Sequence, residues 1–200
     1  MSWKRGAYPE FTLEDVIATM FLLKEPTGRK LISEMLDLGE GSVRTILKKL
    51  GFLDLIRSTQ RGHSLSDRGK EILEKIEKHF SEVHKAGKVE GFPAYAILIR
   101  KPGSFKSIEL RDEAVRYFAK GAMVLTVKDG EPVFPEDMRA LSETMPELAE
   151  DIKNAFEAED GDMVVVTWAE NSADAMKSAY HVALFLKGEH IPEEIKSLVR

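Results

Sequence analysis

Residues 28–50, GRKLISEMLDLGEGSVRTILKKL, decide how this chain is read. Two short apolar-periodic segments flank Leu38-Gly39-Glu40-Gly41, whose glycines stand where a chain reverses direction sharply. In the second segment Val43, Ile46, Leu47 and Leu50 recur at i, i+3, i+4 and i+7, which is one buried helical stripe. The other face holds Ser42, Arg44, Thr45, Lys48 and Lys49, hydroxyls and cations with no carboxylate among them. Such a face suits a helix laid in the major groove of DNA. The first segment is expected to brace it, with Leu31, Ile32, Met35 and Leu36 facing inward and Thr27 as its cap.

Working outward, Thr12 with Asp15 three residues on forms a variant capping box, and Phe11 with Val16 fits a hydrophobic staple. A helix follows to about Lys24, stopped by Glu25-Pro26-Thr27-Gly28. On the other side, two short strands around Gln60-Arg61-Gly62-His63 predict a hairpin carrying Arg57, Arg61 and His63. Ser66-Asp67 then caps a helix expected to reach about His84, with Ile72, Leu73, Ile76, Phe80 and Val83 on one face.

Residues 12–78 resemble a winged helix-turn-helix domain of the broad group that includes the MarR-like and Lrp-like prokaryotic regulators. The motif is LDLGEGSVRTILKKL at 36–50, then the hairpin, then LSDRGK at 65–70, where strand hands over to helix. The layout also resembles archaeal two-domain proteins with a winged-helix N-terminus. The resemblance implies sequence-specific binding to double-stranded DNA and transcriptional control for about the first 40% of the chain. Within that reading Ser42, Arg44 and Thr45 are candidates for base edges, and Lys48, Lys49, Arg57 and Arg61 for phosphates, with His63 beside them on the hairpin.

Charge sharpens the picture. The 200 residues carry a formal net charge of −5, which taken alone argues against nucleic acid. Residues 1–80, however, hold 14 Lys and Arg against 12 Asp and Glu, whereas 81–200 hold 15 against 22. Within 40–70 the count is 7 basic to 3 acidic, so positive charge gathers on the segment assigned to DNA. The absence of cysteine excludes disulfides, thiol catalysis and cysteine-rich metal sites. No apolar run approaches the roughly 20 residues of a membrane span, and MSWKRGAYPE lacks the apolar core of a signal peptide, so a cytoplasmic protein is expected. The Lys-, Glu- and Arg-rich, cysteine-free composition is compatible with a thermophilic source.

Residues 86–93, AGKVEGFP, read as a linker between a domain at 1–85 and another at 94–200. Beyond it, strands at 94–100, 122–127, 132–134 and 163–167 and helices at 108–119, 135–156 and 172–186 give the order βαββαβα. Apolar runs such as AILI and MVVV suggest a sheet covered by helices, a small α/β domain. The fold class expected for the whole is therefore α+β or α/β. In an α/β sheet ligands gather at loops after strands. Lys101 and Ser104 after the first strand, and Trp168, Asn171 and Ser172 after the last, are accordingly expected to line a site for a small anionic ligand, with Asn171 or Ser172 capping the final helix. His181 is expected to face the sheet. The five histidines show no two-His metal spacing with a third ligand nearby, and no GxSxG, phosphate-loop or GxGxxG motif is present, so no metal, cofactor or reaction is assigned.

The reading is a homodimeric, DNA-binding transcriptional regulator. Its C-terminal domain would dimerise, sense a small-molecule effector, or both, with helix 66–84 setting the spacing of two recognition helices. An enzyme in the C-terminal domain with an attached winged-helix module, and a protein–protein adaptor, stay open as alternatives.

Overall fold

A computed structural model describes residues 11–200 of the chain, so the arm at 1–10 lies outside it. The fold is mixed α and β, and it divides into two compact units, one ending at Leu73 and rejoined by Pro192–Arg200, the other Glu74–Ile191. No helix among the described residues is long and apolar enough to cross a membrane.

The first unit opens with α1, Leu13–Leu22. Its capping contact is present, the backbone N–H of Thr12 donating to Asp15 Oδ2 at 2.8 Å. Helix α2, Arg29–Leu36, and α3, Glu40–Phe52, follow. Gly28 rather than Thr27 caps α2; the Thr27 hydroxyl turns back to the carbonyls of Leu22 and Glu25, both at 2.9 Å. Between α2 and α3 the turn is made by Asp37 in the left-handed region (φ 48°), while Gly39 sits at φ −60°. Space around Gly39 and Gly41 is open, so neither glycine is there to make the bend. Ile32 and Leu36 are fully buried as expected, but Leu31 and Met35 are 50% and 38% exposed. An eight-residue helix braces its neighbour through one narrow stripe, and Leu31 and Met35, each one residue before Ile32 and Leu36, fall on the adjacent face.

Strands β1, Ile56–Thr59, and β2, Gly62–Leu65, form the expected antiparallel hairpin. Thr27 exchanges two backbone hydrogen bonds with His63, at 2.8 and 2.9 Å, tying the α1–α2 loop to β2. Gly62 is required there: its φ is +124°, and a Cβ would lie 2.4 Å from the Thr27 carbonyl oxygen. Helix α4, Asp67–Glu77, starts at Ser66, whose Oγ accepts from the N–H of Gly69 at 3.0 Å. It stops seven residues short of the expected end; Phe80 is instead a buried bridge partner of Ile99, and His84 begins a strand. Helix α8, Glu193–Lys196, and the 3-10 turn Ser197–Val199 complete this unit by packing on α1 and α3.

In the second unit the order is β3 (His84–Val89), β4 (Phe92–Ile99), α5 (Ser107–Arg116), β5 (Gly121–Lys128), β6 (Glu131–Val133), α6 (Pro146–Ala155), β7 (Met163–Trp168), α7 (Ser172–Lys187). Residues 86–93 are thus no linker. They are most of a hairpin whose two-residue turn, Glu90 at φ 53° and Gly91 at φ 84°, has the double positive φ of a tight β-turn. The two glycines that read as flexibility serve a bulge (Gly87, φ 68°) and this turn.

Sheet order is β3-β4-β7-β5-β6, and each neighbouring pair is antiparallel. The expected α/β domain is therefore an α+β one. Strand β7 at the centre is buried along its whole length, so apolar runs marked a sheet covered on both faces rather than a parallel one. Helices α5 and α7 pack together over one face. The opposite face, carrying Ala86, Val89, Ala94, Ala96, Leu98, Leu125, Val164, Val166 and Trp168, is covered by α6 with Leu141 and the loop before it.

Candidate functional site

Helix α3 presents one exposed strip. Arg44, Thr45 and Lys48 lie on it, and Phe52, 75% exposed, ends it with Lys48 Nζ 5.5 Å from its ring centre. The Thr45 hydroxyl donates to the Gly41 carbonyl at 3.0 Å. Between α3 and the hairpin runs a groove of about 390 Å³ lined by Arg29, Arg44, Lys48, Ser58 and His63 over Leu47 and Ile56. Glu40, the one carboxylate at the start of α3, is taken up by Arg29 at 3.4 Å. Ser58 Oγ and His63 Nδ1 stand 3.2 Å apart across the hairpin. The groove thus offers cations and hydroxyls to a polyanion.

Not every expected residue joins it. Lys49 is turned away: its ammonium donates to the Leu198 carbonyl and lies 5.5 Å from the ring centre of Phe11. Ser42, seven residues before Lys49, shares that half-buried flank. Arg57 is held by Asp67 at 2.7 Å in an exposed pair. Arg61 sits exposed in the hairpin turn. Arg29, which the sequence reading passed over, is brought in because the turn after α2 folds the start of that helix beside the start of α3.

The expected ligand site of the second unit is split by the antiparallel sheet. Ile99 pairs with Met163 and Ala94 with Trp168, so the loops after β4 and β7 lie at opposite ends of β7, roughly 17 Å apart for a six-residue strand. Lys101 and Ser104 are at one end, and Trp168, Asn171 and Ser172 at the other. Trp168 is 8% exposed, its indole N–H donating to Glu90 at 3.1 Å and its ring lying where a Cβ on Gly121 would be. It is a core residue rather than a pocket wall. Asn171 does cap α7, accepting from the Asp174 N–H at 2.8 Å, and the Asp174 carboxylate accepts from its amide at the same distance. A carboxylate therefore already occupies the start of α7.

At the other end Lys101 serves Asp162, a fully buried side chain that the sequence marked only as part of a turn. Asp162 accepts from Arg100 at 2.7 Å, from the N–H of Glu159 at 2.9 Å and from the N–H of Lys101 at 3.2 Å. Burial pushes this carboxyl up, yet the donors outweigh it and hold the group below its ordinary value. His181 faces α5 instead of the sheet, stacked on Tyr117 at 4.5 Å and 3.3 Å from Glu113, while Tyr180 beside it is buried and its hydroxyl accepts from the Val83 N–H.

A larger concavity, about 640 Å³, lies between β3 and α6. Its floor is Ala86, Val89, Met145 and Leu148, and its rim Lys85, Lys88, Glu147 and Asp151. Reading 86–93 as linker hid it, because half of its lining belongs to the strand that the linker concealed.

Fold and surface define a two-unit α+β chain with a basic groove on the first unit and, in the second, an antiparallel sheet covered on both faces with a concavity between β3 and α6. The chain belongs to the PH0730-like family: residues 12–71 match its model described as PH0730-like, N-terminal domain, and residues 90–186 match the domain of unknown function DUF4443. A solved structure, hypothetical protein PH0730 from Pyrococcus horikoshii OT3, is 57% identical with a TM-score of 0.89, the match covering 95% of this chain and 100% of that one. No curated protein matches.

Proposed function

We propose that the chain is a DNA-binding transcriptional regulator whose first unit is a winged helix-turn-helix. In this reading α2 and α3 are the helix-turn-helix, α3 lies in the major groove, and the β1–β2 hairpin is the wing. The observation that carries the reading is the groove between α3 and the hairpin, where Arg29, Arg44, Lys48 and His63 converge and the nearby Glu40 is neutralised by Arg29. Arg44 and Thr45, both exposed on α3, are the base-reading groups, and Lys48 contacts phosphate.

The second unit supplies dimerisation, ligand sensing or both. Ile108 and Val115 on α5, Phe118 after it and Phe185 on α7 are 47–70% exposed, and these apolar side chains favour a second copy as partner. Two recognition helices about 34 Å apart would read half-sites one turn of duplex apart.

The test is selection of bound sequences from random duplex DNA by the full chain at two salt concentrations. A palindromic or direct-repeat motif, bound with a steep salt dependence, is the expected result. Salt-independent retention with no enriched motif overturns it. The exposed Phe52 on the same face supports a second reading, a protein-docking helix; retention of a protein partner by an Arg44→Ala/Lys48→Ala variant would favour that one.

A further inference from the structure

We propose that the concavity between β3 and α6 is a binding site for a small organic acid with an apolar body. The inference supplies a place and a ligand class for the sensing half of the regulator reading, but its test uses no DNA, so either can fail alone.

The hollow has a structural cause. Two helices cover the far face of the sheet, whereas on this face α6 spans about 15 Å. Near the edge strand β3 the side chains are short: Ala86 and Gly87 fall together in a bulge where the register with β4 skips from Lys85 to Lys88. Around Gly87 a Cβ would meet nothing within 4 Å. A volume of about 640 Å³ lies in the range typical of small-molecule sites, and Ala86, Val89, Met145 and Leu148 give it an apolar floor.

The rim sets the sign of the ligand. Asp151 is already engaged, both its oxygens lying 3.0 and 3.1 Å from His84 Nε2. Lys85 and Lys88, three residues apart and flanking the bulge, form no ion pair among the described residues. Two uncommitted ammonium groups beside an apolar floor match one carboxylate attached to a hydrocarbon body. Glu147 on the α6 side of the rim disfavours a second negative charge on the ligand. The acid is therefore a monoanion, with its carboxylate toward β3 and its apolar part toward Met145 and Leu148.

Lysines on an edge strand also serve to keep other strands from pairing with it. The experiment separates the two roles. The full chain, labelled with 15N, is titrated with 4-phenylbutyrate and, in parallel, with 4-phenylbutylamine, the same body carrying the opposite charge. Saturable shifts of the 86–89 amides by the acid, with the amine at least tenfold weaker, are expected. A Lys85→Glu/Lys88→Glu variant should lose tenfold or more in affinity for the acid while melting at the wild-type temperature; Lys85→Arg/Lys88→Arg should keep it. Equal binding of both probes, shifts mapping elsewhere, or no saturation by the acid at millimolar concentration overturns the proposal and leaves the lysines as edge protection. A random-duplex selection that fails on the same protein would touch only the DNA reading.

Discussion

Lys49 on α3 donates through its ammonium to the carbonyl of Leu198, 149 residues further along the chain. The contact belongs to a packed segment: Ile195 is fully buried, Leu198 is 6% exposed, and Arg68 on α4 holds Glu194 at 2.5 Å. Residues 192–200 are therefore part of the first unit's core. Ile195→Ala should cost about 2–5 kcal/mol, the usual range for emptying a buried aliphatic site. Calorimetric melting of the full chain checks it, and an unchanged transition would show the segment to be dispensable.

The same contact separates two neighbouring lysines. Lys48 faces the groove and Lys49 the C-terminal segment. If the groove binds duplex DNA, Lys48→Ala should flatten the log–log salt dependence of binding by about 0.9, the contribution of one neutralised phosphate. Lys49→Ala should leave that slope unchanged and lower the melting temperature instead. Fluorescence anisotropy at several salt concentrations distinguishes them; equal slopes for the two variants would contradict the assignment.

What the sequence made legible followed from short-range rules. The Thr12–Asp15 capping box, the α3 stripe, the β1–β2 hairpin and the Ser66 cap are each set within a few residues. What it hid depended on distant partners. Lys48 and Lys49 stand on different flanks of α3, and what meets Lys49 is a segment some 150 residues away. Glycines 87 and 91 look like linker residues until β4 is seen to pair with β3. Strand direction has no local signature in buried runs such as MVVV, which fit the rules for a parallel sheet equally well, and those rules bring together ligand residues that the fold holds at opposite ends of β7.

Gly69 gives a test of packing that composition does not announce. A Cβ at this position would lie 2.0 Å from the Leu55 carbonyl oxygen, the same oxygen that accepts from the N–H of Ser66 at 2.9 Å. In an ordinary helix Gly→Ala stabilises by up to about 1 kcal/mol. Here the clash is with backbone, which cannot swing aside as a flexible side chain would, so Gly69→Ala should destabilise by about 1–3 kcal/mol or more. Urea denaturation read by circular dichroism gives the sign directly.

Asp162 predicts an acid-sensitive step in the second unit. Its folded value is depressed, so its contribution to stability is present in full above the unfolded carboxylate value of about 4. It is lost as pH falls through the lower folded value. Asp162→Asn keeps the shape but cannot accept from Arg100 as an anion, and it sets an uncharged amide among the Glu159 and Lys101 N–H donors. Wild type should therefore exceed the variant in stability by a constant margin from neutral pH down to about 4, and the margin should narrow at still lower pH. Melting temperatures of both proteins measured from pH 2 to 7 test this. A margin that widened on acidification would mean that burial, not the three donors, governs the carboxyl.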